Sequence, residues 1–157
     1  MGAAARPAEE SGASVRLGFQ AAGELWLVRL EDAAEVVAIG PVTPVPLTHA
    51  WFRGLTNVRG HLYSVIDFGL FFVGRPTVAS IDTRLVLIND RYHVAAGLLV
   101  DRMLGLRTAH QLEPVPPVGA APAWANACFR DTDARVWREI AMAELVYSNE
   151  FLNVGLG

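Results

Sequence analysis

Residues 51–67, WFRGLTNVRGHLYSVID, contain the pattern that decides the fold. Gly54–Val58 and Leu62–Ile66 are two short runs of strand length, like the other short apolar runs of this chain. Gly60 lies between the two runs and supplies the flexible residue that a tight turn needs. The stretch therefore predicts a β-hairpin. Asp67 follows directly and is placed to cap a short helix, because its carboxylate can accept hydrogen bonds from the first amides of that helix.

Short apolar runs separated by turn residues continue on both sides of this hairpin, at intervals of about ten residues. This spacing is typical of all-β sandwiches and barrels, and helical periodicity is weak throughout. The sequence therefore predicts an all-β domain with a few short helical segments. Further strands are expected at Val15–Gln20, Leu25–Leu30, Glu35–Ile39, Arg84–Ile88, His93–Val100, Leu104–Arg107, Trp124–Arg130 and Arg135–Trp137, and a helix at Ile140–Val146.

Two proline-rich stretches and the N-terminus are expected to lie outside the strands. Because proline removes a backbone donor, Pro41–Pro46 and Pro114–Pro122 are predicted to be loops. Residues 1–14 are mostly small and polar, and they are predicted to be a disordered segment. The expected folded domain spans residues 15–154.

Composition argues against several classes of protein. The chain has 157 residues and a net charge of −3, and its 13 basic residues are scattered arginines. This charge balance argues against nucleic-acid binding and against direct contact with an anionic membrane surface. The longest apolar stretch, Val94–Val100, is too short to span a bilayer. The single cysteine, Cys128, allows no internal disulfide and fits a reducing compartment, so a cytoplasmic protein is expected.

The sequence offers no recognisable centre for catalysis, metal binding or a cofactor. His49, His61, His93 and His110 are far apart, and none forms the closely spaced helical pair with a carboxylate that builds a zinc site. Cys128 lies in an apolar run, where a cysteine is usually a small buried hydrophobic residue. We therefore predict no metal, no cofactor and no enzymatic activity.

Two blocks of sequence resemble the signature of CheW-like domains. In the first block, Gly54, the run NVRG at 57–60 and the run VID at 65–67 stand at the spacings of that family. The second block is the strand Arg84–Ile88 followed by Ala96–Asp101, which is similar to the Gly-x-x-Val-Asp strand of the family. The positions that match the family motif are Gly54, Asn57, Gly60, Asp67 and Asp101.

Finer features resemble the PilI-like branch of the family, which serves type IV pilus chemosensory systems. They are RLGF at 16–19, EVV at 35–37, PVTPVP at 41–46 and LGLR at 104–107. Two positions depart from the family pattern. Ser64 stands where proline is usual, and Phe68-Gly69 replace a leucine and a polar residue. These two departures could therefore alter a nearby edge that faces a partner protein, either a kinase or a receptor.

The resemblance implies a fold and a function for residues 15–154. The fold would be two intertwined SH3-like subdomains, each a five-stranded barrel, around a shared core. The protein would be a non-enzymatic adaptor without a cofactor. It would bind the cytoplasmic tip of a methyl-accepting chemoreceptor and the regulatory domain of a CheA-like histidine kinase. The implied receptor groove contains Ala33, Glu35, Arg59, Leu85, Gly97 and Met103.

The resemblance also implies a location and a pathway. The adaptor would be cytoplasmic and recruited to receptor arrays at the inner face of the membrane, with membrane association only through the receptor. The pathway would be the control of type IV pilus twitching motility.

Several groove positions have a second interpretation. Arg59 at the hairpin turn could pair bidentately with Glu35 on a neighbouring strand and brace the groove, or it could contact the receptor itself. Gly97 would let a receptor helix approach the strand closely, or it would mark a bulge. Leu85 and Met103 are either walls of the groove or core residues.

Two other functions stay open from the sequence. A small barrel with exposed aromatic side chains could bind single-stranded nucleic acid, although the acidic charge balance argues against it. An enzyme could use Cys128 together with a histidine that folding brings near it.

Overall fold

The structure, a computed structural model, describes residues 15–155, so the predicted disorder of residues 1–14 lies outside the described residues. Within 15–155 the chain forms two six-stranded sheets. The strands in chain order are β1 (Arg16–Ala21), β2 (Glu24–Arg29), β3 (Ala33–Ala38), β4 (Val42–Thr43), β5 (Phe52–Val58), β6 (His61–Asp67), β7 (Arg84–Ile88), β8 (Ala96–Val100), β9 (Arg102–Arg107), β10 (Leu112–Val115), β11 (Ala127–Asp131) and β12 (Val136–Glu139).

The strands are ordered β10-β11-β12-β2-β1-β9 in the first sheet and β3-β7-β8-β6-β5-β4 in the second. Neighbouring strands are antiparallel, except for the parallel pairs β12–β2 and β6–β8. The first sheet therefore takes strands from both ends of the described chain, and the second takes them from its middle. The all-β class predicted from the sequence is confirmed.

Tight turns close the two predicted hairpins. Ala22 and Gly23 join β1 to β2 with φ angles of 56° and 73°, and Arg59 and Gly60 join β5 to β6 with φ angles of 50° and 88°. Positive φ at both central residues is the type I′ geometry, whose twist matches that of the flanking strands. Both hairpin predictions are therefore confirmed.

Each sheet of the described range has six strands where five were expected. The difference involves β4 and β10, short edge strands in the proline-rich stretches that the sequence predicts to be loops. The loop prediction is wrong there, because an edge strand can accommodate a residue without an N–H. Pro114 lies on β10 opposite Phe129. Beside β4, Gly54 allows the close approach, since a Cβ at that position would lie 2.1 Å from the carbonyl oxygen of Thr43.

The main core contains side chains from both sheets and centres on aromatic rings. Trp26 is fully buried and meets Phe68 and Phe72 edge to face, with ring centroids 4.7 Å and 4.9 Å away. It also stacks on Trp124 at 6.1 Å. The aromatic residues at and around the β5–β6 hairpin are therefore mainly core residues. They pack in or against this cluster: Trp51, Phe52, Phe68, Phe71 and Phe72.

A second, smaller cluster lies on the other face of the second sheet. On β7, Val86 and Ile88 face the main core, whereas Leu85 and Leu87 face the second cluster. This alternation follows from the two-residue period of a strand. Because both faces of β7 and β8 are covered, these strands form continuous apolar runs.

Short helices flank the sheets. The first, α1, begins after Asp67, whose Oδ1 accepts the Leu70 N–H at 3.2 Å, and it ends at Gly74 in the left-handed conformation. The predicted cap is confirmed. The helix predicted at Ile140–Val146 begins two residues later, because the Ile140 N–H extends the strand pairing to the Leu27 carbonyl at 2.9 Å. The helices are α1 (Phe68–Val73), α2 (Met142–Val146) and α3 (Asn149–Leu152).

No helix within residues 15–155 is long and apolar enough to cross a membrane.

A buried carboxylate orders the turn between β11 and β12. Asp131 accepts hydrogen bonds from the backbone N–H groups of Asp133 and Arg135, at 2.8 Å and 2.9 Å. It also accepts the indole N–H of the fully buried Trp137 at 2.8 Å. Burial works against the charge of Asp131, but these donors outweigh it and lower the pKa of Asp131 from 3.8 to about 2.

Asp131 is expected to make stability depend on pH in the acid range. A carboxyl group with a lowered folded-state pKa stabilises the fold above its unfolded pKa, and this contribution is lost as pH falls through the folded value. The difference in unfolding free energy between the wild type and Asp131→Asn should shrink by about 1 kcal/mol between about pH 5 and pH 3. Urea unfolding of both proteins at each pH measures this difference. A difference that does not change with pH would contradict this account.

Candidate protein-binding site

Glu35 and Arg59 form an ion pair on the surface of the second sheet, between Oε1 of Glu35 and Nη2 of Arg59. Their side chains are 40% and 65% exposed. Glu35 lies on the edge strand β3 and Arg59 at the tip of the β5–β6 hairpin, with β7 and β8 between them in the sheet. The sheet therefore has to curl over its second cluster to bring the two charges together. The two residues pair as predicted, but the predicted geometry is wrong, because the contact is a single hydrogen bond rather than a bidentate one and the partner strand is not a neighbour.

The hairpin tip holds Arg59 in a fixed and unusual conformation. Its φ of 50° places a residue with a side chain in the left-handed region, which costs roughly 1 kcal/mol or more. The motif residue Asn57 offsets part of this cost, because its Oδ1 accepts the Gly60 N–H at 2.9 Å. Asn57 and Gly60 therefore act as turn residues that present the Arg59 guanidinium to solvent.

Leu85 and Gly97 are buried on β7 and β8, the two strands that separate β3 from β6. Leu85 is fully buried in the second cluster, and a Cβ on Gly97 would lie 2.7 Å from its Cγ. The pairing of β8 with β6 and β7 runs through Gly97 without a register shift, so Gly97 does not mark a bulge. Its missing side chain makes room for Leu85 and Leu87 rather than for an external helix. Of the two interpretations of Leu85, the core interpretation holds.

Ala33 and Met103 lie in other parts of the two sheets. Ala33 begins β3, next to a register shift before Glu35, and Met103 lies on β9 opposite Phe19 in the first sheet. Both are half-buried and pack against the main core. The implied groove residues thus separate into an exposed ion pair, a buried packing pair and two half-buried positions.

The motif residue Asp67 is a fully buried structural centre. Its Oδ2 accepts Nε and Nη2 of Arg53 at 3.0 Å and 2.8 Å. The Thr77 hydroxyl donates to Oδ1 at 2.8 Å, and the Thr77 N–H donates to Oδ2 at 3.1 Å. Together with the Leu70 N–H, these donors join β5, β6, α1 and the following loop.

The second motif aspartate, Asp101, has a different environment. It is half-buried at the junction of β8 and β9, and its N–H donates to the Gln20 carbonyl at 2.9 Å. Burial raises the pKa of Asp101, the charge of Asp67 raises it further, and Arg75 opposes both. The ionised form of Asp101 therefore destabilises the folded state.

Some residues that hold the elements around the candidate site together cannot be found from local sequence. Arg53 and Thr77 stand 14 and 10 residues from Asp67, and no spacing rule links them. The same holds for the buried Asp32, which accepts the Tyr92 hydroxyl at 2.6 Å and pairs with Arg91. These groups connect the turn before β3 to the turn after β7, close to the Glu35 end of the second sheet.

The departure at Ser64 adds a hydrogen bond. The Ser64 N–H donates to the Ala95 carbonyl at 2.8 Å, between β6 and the start of β8, and a proline has no N–H to donate. Ser64→Pro is expected to lower the free energy of unfolding by about 1 kcal/mol. Ser64→Ala keeps the N–H and should stay within about 0.5 kcal/mol of the wild type. Equal stability of the proline and alanine variants in urea would contradict this role.

Known proteins resemble this chain in sequence. The CheW-like domain family matches residues 16–150. Protein PilI of Pseudomonas aeruginosa is 30% identical over 108 residues, which cover 67% of this chain and 60% of that protein. Protein FrzA of Myxococcus xanthus is 33% identical over 97 residues, covering 60% of this chain and 59% of that protein. The matched part thus spans about three fifths of these relatives.

A solved structure resembles this chain in its fold. The scaffolding protein TtCheW of Thermoanaerobacter tengcongensis superposes with a TM-score of 0.72 at 26% identity, over 88% of this chain and 90% of that one. The sequence signature and the two sheets therefore agree with the comparisons. The chain belongs to the family of CheW-like domains.

Proposed function

We propose that this protein is a cytoplasmic adaptor that couples a methyl-accepting chemoreceptor to a CheA-type histidine kinase by binding alone. It binds the receptor tip and the regulatory domain of the kinase, and it reaches the inner face of the membrane only through the receptor. The family match over residues 16–150 and the likeness to a scaffolding protein support this proposal. The relatives PilI and FrzA support a pilus-linked chemosensory system.

The observation that carries the proposal is the exposed Arg59 on a rigid turn. Asn57 and Gly60 hold the hairpin tip, and Leu85 packs against Gly97 beneath the second sheet. The motif thus supports a surface on which Arg59 and Glu35 are available to a partner, with Ala33 on the same strand as Glu35. Leu85 and Gly97 contribute by supporting this surface from inside the second sheet, and Met103 contributes a separate, half-buried contact from β9 of the first sheet.

Co-purification tests the proposal. The tagged protein should retain a receptor tip fragment and the regulatory domain of the kinase from its own host. Failure to retain either fragment would reject the adaptor function. Titration with labelled single-stranded oligonucleotides at low salt tests the nucleic-acid alternative, for which we expect no saturable binding.

The cysteine-enzyme alternative predicts a reactive thiol. Cys128 is only 3% exposed on β11, so iodoacetamide is expected to modify it in urea-unfolded protein and not in native protein. Mass spectrometry of the alkylated protein measures the difference. Rapid modification of the native protein at neutral pH would favour the enzyme hypothesis. Within residues 15–155 no group of three or more His, Cys, Asp or Glu residues is arranged to hold a metal ion.

A further inference from the structure

The edge strand β3 contains a bulge directly before Glu35. Ala33 pairs with Ile88 and Glu35 pairs with Leu87, so the intervening Ala34 has no partner on β7. Ala33 packs on the main core, as Ile88 does, whereas Glu35 lies opposite Leu87, which faces the second cluster. In a regular strand, residues two apart share a face. The bulge therefore turns Glu35 away from the face of Ala33, toward the side on which the ion pair forms.

A set of hydrogen bonds around Asp32 fixes the chain just before this bulge. The Asp32 carboxylate is buried, accepts the Tyr92 hydroxyl at 2.6 Å and pairs with Arg91. The backbone carbonyl of Asp32 accepts the Asn89 N–H at 2.9 Å. These four residues, which we call the Asp32 network, join the turn before β3 to the turn after β7 through side chains and backbone together.

The turn after β7 is itself ordered. The Oδ1 atom of Asn89 accepts the Arg91 N–H at 2.9 Å, and Tyr92 packs against the main core. Burial raises the pKa of Tyr92, and the hydrogen bond to Asp32 raises it further. The Tyr92 hydroxyl therefore stays protonated at neutral pH and keeps donating to Asp32.

The position of Glu35 depends on fixed points on both sides of it. As an edge strand, β3 is held by the single neighbour β7, and a bulge disrupts the ladder locally because its extra residue is unpaired. After Glu35, the pair Val36–Val86 holds the strand. Before the bulge, the Asp32 network supplies the second fixed point.

We propose that the Asp32 network positions Glu35, and through the ion pair also Arg59, for binding of the receptor tip. This inference rests on the proposed adaptor function. Asp32 is buried and acts through Glu35, so it is a positioning residue that makes no contact with the partner. Without the network, the start of β3 moves and Glu35 no longer holds Arg59 in one orientation.

Surface plasmon resonance with an immobilised receptor tip tests this proposal. Asp32→Ala should lower the affinity about fivefold or more in the wild-type background and cause no further loss in a Glu35→Ala background. A residue that only stabilises the fold would cause the same loss in both backgrounds. Tyr92→Phe keeps the ring and the pair of Asp32 with Arg91, so it should fold normally and lose about threefold, again only when Glu35 is present.

Asp131→Ala is the matched control. Asp131 is also buried, accepts a donor from an aromatic side chain and pairs with an arginine, but it lies in the first sheet. This variant should bind the receptor tip like the wild type. Unchanged binding by Asp32→Ala, an equal loss in Asp131→Ala, or the same loss in the Glu35→Ala background would overturn the proposal.

Hydrogen exchange tests the network without a receptor. The amides of residues 33–35 should exchange about tenfold faster in Asp32→Ala than in the wild type, whereas those of the β5–β6 hairpin should not change. Unchanged exchange at residues 33–35 would overturn the positioning role. A wild-type protein that does not bind the receptor tip would instead reject the adaptor function, and the exchange rates alone would then decide whether the network positions Glu35.

Discussion

An Arg59→Ala variant is expected to lose receptor-tip binding by about 30-fold or more while remaining folded. The ion pair with Glu35 is exposed, so breaking it should cost the fold less than about 1 kcal/mol. An arginine that a partner covers at the centre of an interface typically contributes about 2 kcal/mol or more to binding. Surface plasmon resonance with an immobilised receptor tip measures the affinity, and urea unfolding measures the stability.

Arg130→Ala is the matched control, because Arg130 is an exposed arginine on β11 in the other sheet. It should bind the receptor like the wild type. A charge swap, Arg59→Glu with Glu35→Arg, separates direct contact from bracing. If a partner contacts Arg59 itself, as we propose, the swap should stay weak. Recovery of binding would instead assign the pair a bracing role. Intact binding by Arg59→Ala would remove Arg59 from the site.

An Asp67→Ala variant is expected to lose about 3 kcal/mol or more of unfolding free energy. The carboxylate is fully buried and accepts hydrogen bonds from Arg53, Leu70 and Thr77. Its removal leaves the N–H and the hydroxyl of the buried Thr77 without an acceptor and takes away the charge partner of the partly exposed Arg53. Since small domains are stable by only about 5–15 kcal/mol, the midpoint of urea unfolding should fall clearly.

Asp101→Asn provides the contrasting control. Asp101 belongs to the same family motif, but burial and the charge of Asp67 raise its pKa, so its ionised form disfavours folding at neutral pH. Replacing it by a neutral amide should change stability by less than about 1 kcal/mol, or increase it slightly. Equal losses in the two variants would contradict the assignment of Asp67 as the structural centre.

Features that depend on local sequence were the predictable part of the fold. Short strand-length runs and the turn residues between them predicted both hairpins, and the position of Asp67 predicted the helix cap. The edge strands β4 and β10 were missed because proline counts against a strand in any local pattern. Whether a segment lies at an edge, where a missing N–H is tolerated, depends on the order of strands in the sheet.

The candidate site was less predictable, because it depends on contacts between distant segments. Pairing of Arg59 with Glu35 was foreseen, but the curl of the sheet that brings them together was not. The packing of Leu85 into the space above Gly97 requires the register of β7 and β8. Only the resemblance to a family placed the groove residues in one set, and the structure divides that set by burial.

The central claim is that this protein connects a receptor to a kinase, and a three-component binding measurement tests it most directly. A receptor tip is immobilised, and the regulatory domain of the kinase is passed over it with and without this protein. The account predicts that the kinase domain is retained only when the protein is present, and that Arg59→Ala abolishes this retention. Retention of the kinase domain without the protein, or no retention with it, would contradict the account.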